Sequence, residues 1–244
     1  MAIELPSEVE QFLQVIGINF PMVNEDAVRA MAQHVREFSE NVAGTHQDAT
    51  NTISAMSAGY QGSSYDALVQ KWADKSNTHM TELHDACTVV ATALEAGADY
   101  IVAQKVAAIA ELIAMAVAFV ADQAAAVLTF GIAEAAIALI EEGAERLVDM
   151  LEQQLTQHII GEIVEASIKP LTGVIDKAVS GFVFQAAQTA LGVGGGSGGS
   201  VGASFMVDAS ALEPHLTQMQ VHGDTMVSHA QALTSNISSL NFEH

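Results

Sequence analysis

The sequence predicts an all-α protein: a long antiparallel helical hairpin, extended by further helices into an elongated bundle, then a flexible glycine linker and a short heptad helix. Three observations carry this. Ala, Leu, Ile, Val, Met, Glu and Gln dominate 244 residues that hold only 5% aromatics and four prolines, the balance of long helices and of almost no strand. Two long stretches place apolar residues at alternating steps of three and four, the spacing of a coiled-coil seam. Residues 192–202 are mostly Gly, with Ser and Val between. Half the chain is hydrophobic, so a sizeable core is within reach.

The elements follow in order. Ser7-Glu-Val-Glu10 has the form of a capping box, and Val9, Phe12, Leu13 and Ile16 continue at helical spacing to Gly17, a short amphipathic first helix. Pro21 interrupts. Asn24 then caps a much longer helix that opens with the acidic pair Glu25 and Asp26, well placed against the positive end of the helix dipole. Its seam is Val28, Met31, Val35, Phe38, Val42, Thr45, Ala49, Thr52 and Met56. After Gly59-Tyr-Gln-Gly62 the spacing resumes with Tyr65, Leu68, Trp72, His79, Leu83, Ala86, Val90 and Ala93. Two helices of about 33 residues, each about 50 Å long at 1.5 Å per residue, fold back as one antiparallel hairpin over residues 25–97. Tyr60 and Gly62 shape its turn, Gly62 through a positive φ. Val35, Phe38, Leu68 and Trp72 lie on a helix-helix seam, within the chain or shared with a partner.

From Ile101 the character changes. Val106 to Ala121 holds one charge, Glu111, and Ala124 to Ile140 holds one, Glu134, with Asp122 and Gln123 between the runs. Helices apolar nearly all round are buried in a bundle or placed in a membrane. Each run is shorter than the roughly 20 residues of a spanning helix, which favours the bundle. The alternative is a membrane-inserting hairpin over residues 106–140, whose entry Glu111, Asp122 and Glu134 control. Glu141 to Ile168 regains amphipathic spacing through Leu147, Leu151, Leu155 and Ile159; Lys169-Pro170 ends or kinks that helix, and a last one covers 171–191.

The domains are therefore residues 1–191, helical; 192–204, linker; and 205–244, a heptad segment that begins a second helical module. Its seam is Leu212, Leu216, Met219, Gly223, Met226, Ala230, Leu233, Ile237 and Leu240. The segment packs back on the first domain or pairs between two chains as a homo-oligomer. His215, His222 and His229 stand seven apart beside that seam, about 10.5 Å between neighbours along a helix and too far to share a metal ion. Exposed flanking positions are the favoured reading, a pH-sensitive interface the alternative.

Composition excludes several functions. The formal charge is −21, and protonating all nine histidines brings it only to −21 + 9 = −12, which repels nucleic acid and anionic lipid. Cys87 is the only cysteine, so neither an intrachain disulfide nor a cysteine zinc cluster can form, and it reads as a small apolar helix residue. His79, Glu82 and His84 are spaced H-x-x-E-x-H, which points the two rings apart instead of onto one metal. Gly194, Gly196 and Gly199 match GxGxxG, but no strand precedes them and nucleotide binding does not follow. No nucleophile elbow or Cys/His pair is present. We expect no enzyme, no cofactor and no metal. The first residues carry neither a basic nor an apolar signal region, so export would take a signal-peptide-independent route.

The helices meeting at Gly59-Tyr60-Gln61-Gly62 resemble the WXG family of type VII secretion substrates, in which an aromatic-x-Gly turn joins two antiparallel helices; Tyr60 stands where Trp is usual. Ile16-Gly17-Ile-Asn-Phe20-Pro21, Asn24-Glu25, Val102-Ala-Gln-Lys105 and Thr129-Phe130-Gly131-Ile132 come in the order of the N-terminal domain of actinobacterial necrotizing-toxin and outer-membrane-channel proteins, over about residues 3–190. The resemblance implies a cytoplasmic chain exported to the cell surface or medium, small WXG-like helical partners, the type VII machinery, and a toxin that the domain delivers. The Tyr-x-x-x-Asp/Glu export signal that it also implies is not found, since Tyr100 has Gln104 at the fourth position. A partner chain would then carry the signal, or the chain is not exported. Two other functions remain open: a pore or translocation element built on 106–140, and a purely structural helical scaffold.

Overall fold

In a computed structural model of the chain, residues 3–129, 132–169, 171–174 and 206–242 are described. They form α1 (Ser7–Ile16), α2 (Glu25–Ala55), α3 (Ser63–Lys75), α4 (Thr81–Thr129), α5 (Ile132–His158) and α6 (Ala209–Ser238). The strands among them are β1 (Tyr60–Gln61) and β2 (Met206–Val207), antiparallel with Tyr60 opposite Val207 and Gln61 opposite Met206. The fold is all-α, as composition and seam spacing predict. The 192–204 linker, its GxGxxG match and most of the predicted 171–191 helix lie outside the described residues.

The chain divides into two compact units, one of Met1–Ala32, Thr92–Ala166 and Leu240–His244, the other of Gln33–Ala91 and Ser167–Ser239. This differs from the expected 1–191 domain followed by a separate module, because α6 belongs to the same unit as the hairpin turn.

In the first unit α1 buries Val9, Phe12 and Leu13 and stops at Gly17, whose φ of 75° lets Ile18 N–H reach back to the Leu13 carbonyl. The expected capping box does not form. The helix starts one residue earlier, with the Pro6 carbonyl taking the Val9 and Glu10 amides, so the Ser7 hydroxyl falls inside the first turn and donates to Glu8. Asn24 does cap α2, its Oδ1 accepting the Ala27 amide at 3.1 Å. Glu25 turns inward instead of standing free at the helix end. It is fully buried, accepts the Ile3 amide on Oε1, and meets the equally buried Lys105 at 2.9 Å through Oε2. The Lys105 Nζ also donates to the Val23 carbonyl at 2.8 Å, so one buried pair ties the N-terminal segment, the start of α2 and α4 together. Below it α4 buries Ile109, Leu112, Ala116 and Phe119, the last with its ring 5.2 Å from Phe12.

Two expectations for this part are corrected. No turn separates the apolar runs at Asp122-Gln123: α4 is helical through both, since neither residue breaks a helix, and it continues to Thr129. Nor is α4 apolar and covered all round, for Val106, Ile113, Val117 and Val120 are exposed. In α5, Leu147, Leu151 and Leu155 are buried as the spacing predicts, while Ile159–Ile168 winds as a π-helix.

In the second unit the two arms of the hairpin run antiparallel, since partners fall in number as α2 rises: Ser39 with His84, Thr50 with Trp72, Ile53 with Tyr65. All of the seam predicted on α2 is buried except the half-buried Met31. On the returning arm Leu83 and Val90 are buried as predicted, while Cys87 and Leu94 are buried in place of the half-buried Ala86 and Ala93, and Ser76–Met80 winds as a π-helical turn.

Candidate helix-docking site at the hairpin turn

Met56–Ala58 tightens the end of α2 into a 3₁₀ turn, and Gly59 closes it with a 3.1 Å bond to the Met56 carbonyl. Tyr60 is buried, its ring edge-on to Tyr65 at 5.7 Å, and the Tyr65 hydroxyl donates to the Ile53 carbonyl across the turn. Gly62 takes φ 122° and ψ 178°, a conformation that side chains rarely enter, and its carbonyl receives the Tyr65 and Asp66 amides that begin α3. Tyr60 and Gly62 therefore do different work: one seals the turn, the other permits it.

Of the seam residues singled out from the sequence, Val35, Phe38 and Trp72 are buried and Leu68 is half-buried. Trp72 donates its indole N–H to Thr50 Oγ1 at 2.9 Å and stacks on His46 at 5.1 Å and 11°. Burial pushes the His46 imidazole below its ordinary pKa. Around these rings two apolar clusters meet at Leu68: Ala49, Ile53 and Trp72, and Met56, Tyr60 and Leu212. Met219 joins both, so the seam is completed from within the chain by α6.

The start of α6 is fastened at several points. Asp208 caps it, its carboxylate taking the Ser210 and Ala211 amides, and the Ser210 hydroxyl with those amides holds the carboxyl below the usual range. Asp208 N–H donates to the Gly59 carbonyl at 2.8 Å. A Cβ at Gly59 would stand 2.7 Å from the Ala211 Cβ, so only glycine lets α6 come this close. Farther along, His222 Nε2 lies 3.1 Å from Thr52 Oγ1 and His229 Nε2 lies 3.0 Å from Thr45 Oγ1. Thr52 already gives its hydroxyl proton to the Asp48 carbonyl, so His222 is the donor in its pair. The favoured reading of the three histidines as exposed flanks thus fails for His222 and His229, which are half-buried and hydrogen-bonded, while Leu216, expected on the seam, is exposed.

Sequence reasoning missed three contacts: Glu25 with Lys105, Gly59 with Ala211, and the histidine-threonine pairs. The last had a readable signal. Thr45 and Thr52 are seven apart on one apolar seam, and His222 and His229 are seven apart beside another.

The remaining candidates do not join this site. His79 faces Glu82 at 3.8 Å while His84 meets Ser39, so the two rings point apart as their spacing requires. Cys87 is buried, and burial pushes its thiol up to about 11, which makes it unreactive. Tyr100 stacks on His158 at 4.0 Å. Glu111 is exposed, Asp122 is half-buried, and the side chain of Glu134 lies outside the described residues. Among the described residues no group of three or more metal-ligating side chains converges.

The sequence profile of a family described as WXG100 like domain matches residues 2–147, which takes in both arms of the hairpin, its Tyr60-Gln61-Gly62 turn and the Glu25–Lys105 pair. No curated protein and no solved structure matches the chain.

Proposed function

Because the chain belongs to the WXG100-like domain family, and is thus a type VII secretion-related helical protein, we propose that it is the non-catalytic targeting and delivery module of an exported toxin. On this reading it binds small WXG-type helical proteins and leaves the cell by a signal-peptide-independent route. One observation carries the reading. On α4, Val106, Ile113, Val117 and Val120 are exposed at steps of seven, four and three, the spacing of a coiled-coil stripe, with Glu111 the single charge between Val106 and Ala121. A helix laid along that stripe hides apolar surface that water otherwise covers, worth about 25 cal/mol per Å².

The test is co-expression in the native host with the neighbouring small helical proteins, with and without a working type VII system. The protein is expected in the medium only when the machinery works, and Ile113→Asp with Val117→Asp is expected to abolish co-purification of the small proteins. Secretion that survives deletion of the machinery returns the chain to a structural scaffold.

A second reading has its own observation. Ser63–Gln123 contains a stretch long and apolar enough to cross a bilayer, only 33% buried. Residues 106–140 would then enter lipid, with Glu111, Asp122 and Glu134 opposing entry, since an ionised carboxylate costs about 3 kcal/mol at the bilayer centre. Glu111→Gln is expected to increase leakage of liposomes; no leakage at pH 7 or pH 5 eliminates this reading.

A further inference from the structure

The face of the hairpin formed by Ala49, Ile53, Met56, Tyr60, Leu68 and Trp72 is already filled by a helix, and that helix is held by reversible chemistry. Its apolar contribution is Leu212 and Met219, with Met226 and Leu233 buried farther along at the same seven-residue step. Its polar contribution is two hydroxyl-imidazole pairs, His222 with Thr52 and His229 with Thr45. Thr45 and Thr52 are themselves buried in the α2 seam, where the two α6 rings are the side chains that meet their hydroxyls. A slip of α6 by three or four residues would keep apolar contact but would place Met219 or Met226 where the His222 ring stands, and Met226 or Leu233 where the His229 ring stands. The pairs therefore set register as well as adding adhesion. The single cysteine, Cys87, is free, so no disulfide joins α6 to the hairpin.

We propose that this face is a helix-docking surface that the chain keeps closed with its own C-terminal helix. An incoming helix takes the place of α6 only if it repeats the same code: apolar residues at steps of seven on one line, and a histidine ring three positions after two successive members of that line. The surface is distinct from the exposed α4 stripe, and the proposal stands whether or not the secretion reading is correct. Its consequence is a module with one open helix-binding face and one that is self-occupied.

A labelled peptide of residues 206–242 is the probe, added to the full chain. Wild-type protein is expected to show no saturable binding. The full-length variant Leu212→Asp with Met226→Asp, whose own α6 is released while the hairpin is unaltered, is expected to bind it saturably. A peptide carrying His222→Leu and His229→Leu is expected to bind that variant about tenfold more weakly, the loss of two ordinary hydrogen bonds. Wild-type protein that binds the peptide as well as the variant overturns the closed surface, and equal affinity of the two peptides overturns the histidine code. Self-association of the variant without peptide means that the face takes a second hairpin instead of an α6-like helix, and overturns the stated occupant. Hydrogen exchange of the wild-type chain guards against a variant that merely unfolds: α6 amides are expected to exchange at least tenfold faster than α2 amides between Gln33 and Ala55. Equal rates mean that α6 does not leave on its own, and the proposal fails.

Discussion

Among the described residues, the buried polar groups in the unit of residues 1–32, 92–166 and 240–244 are Glu25 and Lys105, each at 0% exposure and each paired with the other. In the unit of residues 33–91 and 167–239 they are Ser39, Thr45 and Thr52, each with a histidine ring at about hydrogen-bond distance. The contrast is between a carboxylate-ammonium pair and hydroxyl-imidazole pairs. Removing two charges from water costs several kcal/mol per ion, returned only while both partners and their extra bonds to Ile3 and Val23 stay in place. Hydroxyl-imidazole pairs cost little to open, because water replaces either partner. One unit is thus built to resist rearrangement of its N-terminal segment, the other to hold a helix that can come away.

The largest effect that would break this comparison lies in the first unit. Lys105→Met leaves a buried carboxylate alone and is expected to lower stability by about 4 kcal/mol, whereas adding Glu25→Gln restores most of it. Denaturant melts of the single and double variants check this; equal losses would show that the pair acts as two separate packing groups. Phe38→Ala, in the core of the second unit, is expected to cost about 3 kcal/mol through a cavity, and an unaltered melting temperature would place Phe38 on the surface.

At the turn, Gly62→Val forces a branched side chain into φ 122° and is expected to cost about 2 kcal/mol. Calorimetry reads it, and a neutral result would show that the turn relaxes. The smallest of the single-residue effects is Asn24→Ala, about 1 kcal/mol for loss of a helix cap, read by the same melt.

Acid separates the two units by direction and by window. Burial disfavours the charged His46 ring, so the unfolded chain binds more protons below pH 6.5 and this contribution to stability is lost as pH falls through that value. For Glu25, burial alone would raise the carboxyl, but the Lys105 bond and the Glu25 and Ile3 amides outweigh it and hold the carboxyl below its ordinary 4.5. Its contribution is complete above 4.5 and is lost only as pH falls through the lower, folded value. Amide exchange between pH 7 and pH 3 is expected to loosen residues around His46 and Trp72 first, and those around Glu25 and Lys105 last. The reverse order would mean that the ion pair is the weaker lock.

The sequence by itself determined the helical class, the α2 seam from Val28 to Met56, the Asn24 cap, the glycine turn at Gly62 and the apolar burial of Cys87. These are legible because they depend on residue spacing within one helix or on the backbone of one residue. It did not reveal the π-helical turn at Ser76–Met80, nor the unbroken helix through Asp122-Gln123. Only the tertiary structure decided that Glu25 meets Lys105 across 80 positions and that His222 and His229 meet Thr52 and Thr45 across 170 and 184. Periodicity states which residues share a face but not which face answers it, and that choice is made by packing, where a buried polar group is tolerated only opposite a partner.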